Sequence, residues 1–95
     1  MLETLTKEAW SEYLGGSFEL TGNGGRTMVL VEVTGLGSGA PGRRDPYSLV
    51  FRGPASPLLP QRIYRIWHHR MGDLELFLVP IGPDGEGMRY EAIFA

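Results

Sequence analysis

The chain has 95 residues, a mass of 10.5 kDa and a formal charge of −2, with 42% hydrophobic and 21% charged residues. That length has room for one domain around one core, and the composition is that of an ordinary globular protein rather than a disordered or membrane-embedded chain. Cysteine is absent, which excludes disulfides, thiolate nucleophiles and cysteine-type zinc sites, and the slightly acidic balance argues against general nucleic-acid binding.

The opening stretch Met1–Glu8 carries acids and no apolar run, unlike a secretory signal. The longest apolar run, Leu76-Phe77-Leu78-Val79-Pro80-Ile81, falls far short of the roughly 20 residues that span a bilayer. A cytoplasmic protein without a membrane partner is expected. A helix is predicted over residues 5–14. Thr6 can cap it, Glu8 suits the positive end of its dipole, and Leu5 with Trp10 fits a hydrophobic staple. Trp10, Tyr13 and Leu14 form one apolar stripe, and Gly15-Gly16 end the helix.

Glycine and proline then divide the chain into strands. Ser17–Thr21 and Thr27–Thr34 flank Gly22-Asn23-Gly24-Gly25, a hairpin signal. Residues 35–46 read as a flexible loop, Tyr47–Arg52 as the next strand, and Gly53–Pro60 as a proline-stiffened crossing. Arg62–His68 and Leu74–Pro80 are strands joined by a turn near Arg70–Asp73. Gly82–Gly87 turns the chain into a last strand, Met88–Phe94. The predicted fold is mainly β: a single domain over residues 1–95, built as a small antiparallel barrel or roll of about six strands (17–94) with one short N-terminal helix. Curling into a barrel disposes of bare sheet edges.

Alternation assigns Tyr64, Ile66 and His68 to one face, with Leu74, Leu76 and Leu78, and Tyr90, Ala92 and Phe94, on matching faces of the neighbouring strands. The opposite faces carry Arg65 and Glu75, which can pack across the two strands, and Arg89 and Glu91, but also Ile63, Trp67, Phe77, Val79 and Ile93. A Trp67–Phe77–Val79 cluster left bare would be uncommon on a soluble monomer and would mark a contact surface. Either the helix stripe covers this face or a partner does. The candidate interface is therefore Ile63, Arg65, Trp67, Phe77, Val79 and Ile93.

Charge falls in blocks: −3 over residues 1–20, +5 over 43–70 and −4 over 71–95. Arg43, Arg44 and Arg52 form a candidate basic patch for an acidic partner or an oppositely charged copy. The alternative is that neighbouring strands of opposite sign pair within one molecule.

No catalytic set stands out. His68 and His69 are adjacent on a strand, should face opposite ways, and lack a third ligand, so no metal is expected. Ser38 lacks the Gly-x-Ser-x-Gly frame. The Gly35-x-Gly37-x-Gly39 run is followed by Pro41 and Arg43-Arg44 rather than a helix N-terminus, so no nucleotide cofactor is expected. Asp84 and Glu86 lie in a glycine-rich turn, where solvated carboxylates are the simpler reading.

The segments Phe51-Arg52-Gly53-Pro54, Leu59-Pro60-Gln61-x-x-Tyr64, Leu74-Glu75-Leu76-Phe77-Leu78-Val79-Pro80-x-Gly82 and Tyr90-Glu91-Ala92-x-Phe94 resemble the DUF6916 family of small bacterial domains. So do the histidine pair before Met71-Gly72 and Leu5-Thr6 ahead of Gly15–Phe18. The resemblance spans nearly the whole chain. It implies a single domain with no established activity, and an accessory or structural role in a phage-tail-like or tail-fibre-like assembly. The expected function is thus a non-enzymatic structural or protein-binding module, associating with a protein partner or with itself. The alternative is a small-ligand-binding β-barrel whose interior is lined by Tyr47, Tyr64, Tyr90 and His68.

Overall fold

Thr6 begins the helix in extended backbone, and its Oγ1 accepts a hydrogen bond from the Ala9 N–H at 3.2 Å. The structure is a computed structural model and describes residues 5–21, 26–37, 41 and 45–94. Helix α1 runs over Lys7–Ser11, five residues against the ten predicted over 5–14. It stops early because the backbone is claimed elsewhere. The Tyr13 N–H turns back to the Trp10 carbonyl in the tighter three-residue manner. The Gly15 N–H bonds the Leu30 carbonyl at 2.8 Å, and the Leu30 N–H bonds the Gly16 carbonyl at 3.1 Å. Gly15 takes φ +84°, which turns helix into strand at no steric cost.

Six strands follow: β1 (Ser17–Leu20), β2 (Arg26–Gly35), β3 (Tyr47–Gly53), β4 (Arg62–His68), β5 (Gly72–Pro83) and β6 (Met88–Phe94). Every neighbouring pair is antiparallel, in the order β1-β2-β3-β6-β5-β4, and β1 returns to β4 to close the barrel. The predicted barrel with one short helix is the observed architecture. The 35–46 loop is closed at its base by the Leu36 N–H on the Pro46 carbonyl at 2.9 Å.

Alternation fills the interior. Phe18 and Leu20, Met28 and Leu30, Leu49 and Phe51, Tyr64 and Ile66, Leu74, Leu76 and Leu78, and Tyr90 and Ala92 are all buried. α1 lies across one end of the barrel. Its Trp10 ring sits 6.1 Å from Phe18, 6.5 Å from Phe51 and 6.3 Å from Phe94, with the Phe51 contact edge-on. Tyr47 stacks on Phe94 at 4.9 Å and donates its hydroxyl to the Leu5 carbonyl. The loop after β3 stops the other end: Leu59 is buried there and donates its N–H to the Tyr90 hydroxyl at 3.0 Å, while Tyr64 donates to the Pro60 carbonyl.

Candidate interaction surface

The outer wall of β4 and β5 is ordered by their register. Ile63 lies opposite Phe77, Arg65 opposite Glu75 and Trp67 opposite Asp73. Residues paired across an antiparallel sheet have Cβ atoms about 4.5–5.5 Å apart, so these are three rows of neighbouring side chains. On β6, Glu91 pairs with Val79 at the end of the β5–β6 ladder, and Ile93 lies two residues beyond it. On the other flank, Glu19 of β1 lies opposite Trp67.

The wall therefore carries the apolar pair Ile63 and Phe77, exposed by 64% and 50%, with half-buried Val79 beside it and Ile93, 63% exposed, on β6. The middle row is an ion pair, Arg65 NH2 to Glu75 Oε2 at 3.4 Å, with both side chains well exposed. The third row is Trp67, 39% exposed, between the acids Glu19 and Asp73. The predicted Trp67–Phe77–Val79 cluster is thus divided: Trp67 stands four residue pairs along the hairpin from the Ile63–Phe77 pair, with the outward Arg65 and Glu75 between. Only the register could reveal this, and the sequence does not fix which residues of the β4–β5 hairpin face each other. The sequence also missed Glu19 and Asp73, whose acids frame the indole.

The helix does not cover this wall. Its stripe turns into the barrel end: Trp10 is fully buried there and Tyr13 packs edge-on against His68 at 4.9 Å. Leu14, the third member of the stripe, is exposed.

The candidate basic patch is altered. Arg43 and Arg44 lie outside the described residues. Arg52 gives two nitrogens to Asp84 Oδ2, Nε at 2.7 Å and NH2 at 2.6 Å, and approaches Glu86 at 3.6 Å. Its charge is met by the acidic C-terminal block, as is that of Arg65, so these two arginines follow the intramolecular alternative.

His68 and His69 were expected to diverge, yet their rings stack at 4.5 Å because β4 ends at His68 and His69 begins the turn. The His68 Nδ1 accepts the Arg70 N–H at 3.1 Å, and burial pushes its pKa below the ordinary value, with His69 and Arg70 adding to the effect. Among the described residues no group of three ligating side chains is placed to hold a metal. Two surface cavities adjoin α1: one of about 490 Å³ beside Lys7, Gly35 and Asp45, and one of about 240 Å³ formed by Leu5, Tyr13, Arg70 and Met71 with Ala9 and Glu12. Neither is lined by Tyr47, Tyr64, Tyr90 or His68. Those four are buried, and each spends a polar atom on backbone.

The model of a family described as a domain of unknown function (DUF6916) matches residues 5–94, nearly the whole chain. The chain belongs to the DUF6916 family. No curated protein and no solved structure matches it. Among the described residues, no helix of this DUF6916 domain is long and apolar enough to cross a membrane.

Proposed function

We propose that this domain is a non-enzymatic protein-binding module, a structural or accessory part of a larger cytoplasmic assembly, that docks through the outer wall of β4, β5 and β6. The observation that carries the reading is the exposure of Ile63, Phe77 and Ile93, each at least half exposed on a closed barrel whose helix lies elsewhere. Grouped apolar exposure of this kind marks contact surfaces on soluble proteins. The engagement of Tyr47, Tyr64, Tyr90 and His68 with backbone favours this reading over a ligand-binding interior. The narrower assignment, a tail-fibre-like assembly, is supported by the family resemblance alone.

Photo-crosslinking in the expressing cell tests the proposal. A benzophenone side chain at Phe77 should give discrete protein adducts. The same group at Glu32, exposed on β2 across the barrel, should give none. Adducts absent from position 77, or equal at the two positions, would overturn it.

A further inference from the structure

Resting on that reading, we infer that the occupant of the wall is a second copy of this chain, related by a two-fold axis that runs parallel to β4 and β5 and midway between them. The register carries the inference. Because Ile63 faces Phe77, Arg65 faces Glu75 and Trp67 faces Asp73 within one molecule, such an axis lays β4 of one copy over β5 of the other. Each residue then meets the copy of its own cross-strand partner. Ile63 packs on Phe77 of the second copy, and Arg65 reaches Glu75 of the second copy. The Trp67 indole N–H, a donor only, is brought to the Asp73 carboxylate, an acceptor. Face-to-face sheets sit about 10 Å apart, within reach of an arginine and a glutamate extending from opposite sides. The middle row becomes a ring of four alternating charges.

Charge also selects this axis over its rival. An in-plane two-fold perpendicular to the strands, centred on the same row, would set Arg65 against Arg65 and Glu75 against Glu75. Like charges brought together at an interface oppose association. The area is adequate as well. At their observed exposures Ile63, Trp67 and Phe77, the apolar residues on the two strands beside the axis, offer on the order of 300 Å² of apolar surface per copy, scaled from the ~150–250 Å² of a whole aromatic side chain. That is over a third of the ~800 Å² per partner of a standard interface, and Arg65, Glu75 and Asp73 supply polar surface beside it. A closed isologous pair is the commonest soluble assembly, and it leaves no open end to polymerise.

Light-scattering mass across a concentration series tests the arrangement with Arg65→Glu, Glu75→Arg, the two mixed, and the double exchange. The wild type should dimerise. Each single variant should weaken the dimer by about tenfold or more, because it sets like charges across the axis. An equimolar mixture of the two single variants should recover the dimer, since one copy presents two acids and the other two bases, and the double exchange should recover it too. Recovery on mixing also shows that both variants fold. A wild type that stays monomeric at millimolar concentration, or variants that do not recover when mixed, would overturn the inference. If Phe77 crosslinks to a different protein while the pure chain stays monomeric, the two-fold pairing falls and the protein-binding reading stands. If Phe77 crosslinks to nothing, both fall.

Discussion

Asp84 holds Arg52 with one carboxylate oxygen and its own turn with the other. Oδ2 accepts both Arg52 nitrogens, while Oδ1 accepts the N–H groups of Glu86 at 3.0 Å and Gly87 at 3.2 Å. The Arg52 hydrogen bond, followed by the Glu86 N–H, holds the Asp84 carboxyl below its ordinary value of 3.8. A carboxyl depressed by folding adds stability that is fully present above the ordinary value and is lost as pH falls through it toward the folded one. The urea midpoint of the wild type should therefore fall more steeply than that of Asp84→Ala between about pH 5 and pH 2. Parallel curves would remove this role for Asp84.

His68 has the same sign in a different window. Its Nδ1 already accepts a backbone N–H, so a proton there would point at the Arg70 donor. The folded state keeps the ring neutral, whereas the unfolded chain takes up a proton near the ordinary value of 6.5. Stability is complete above that pH, declines as pH falls below it, and levels off at the depressed folded value. His68→Leu should abolish the decline. His69→Leu should keep it, somewhat reduced, because His69 contributes to the depression. Urea midpoints at half-unit steps from about pH 8 to pH 5 read both.

Trp10 is fully buried among three phenylalanines, yet among the described residues its buried indole N–H has no partner. Trp10→Ala should cost about 3–5 kcal/mol, the range for truncating a buried tryptophan. Against a typical margin of about 5–15 kcal/mol for a whole domain, that brings the chain close to unfolding. Trp10→Phe keeps an aromatic ring and removes an unsatisfied donor, whose burial costs about 1–3 kcal/mol. Its loss should be less than roughly half that of alanine. Equal losses by chemical denaturation would show that size alone matters at this position.

Gly87 is required by a close approach between elements. A Cβ there would fall on the Gly53 carbonyl at the end of β3, with Arg52 Cγ at 3.1 Å. Gly87→Ala should destabilise by about 1–3 kcal/mol, the usual cost of overpacking, and should loosen the Asp84 turn as well. Gly16→Ala is a useful comparison, because its Cβ would press on the Tyr13 carbonyl at 2.9 Å at the opposite end of the barrel. Amide exchange should quicken at Glu86 and Gly87 in the first variant only.

The strands were legible because glycine and proline bound them and because Tyr64, Ile66, Leu74, Leu76 and Leu78 alternate cleanly with outward neighbours. The inward identity of His68 followed from the same periodicity. Opposite charge suggested Arg65 beside Glu75, which the register bears out, but the sequence could not supply the rest of the pairing. Nothing in Arg62–His68 alone says that Ile63, rather than Arg65, faces Phe77. The helix is shorter than its pattern predicts for a related reason: Tyr13 and Leu14 continue its apolar stripe, but the Gly15 amide is captured by Leu30, a strand residue fifteen positions later. Arg52 looked like a free cation because its partner, Asp84, is thirty-two positions away.

Closure of the barrel depends on a narrow seam. Among the described residues the β1–β4 ladder consists of the Glu19–Trp67 and Leu20–Ile66 pairs, with the Thr21 N–H and hydroxyl both donating to the Arg65 carbonyl. The β3–β6 ladder runs for seven pairs. Thermal opening should therefore begin where β1 leaves β4, converting the cylinder for an instant into a curved six-strand ribbon. Anything that braces Trp67 from outside would latch that ribbon shut.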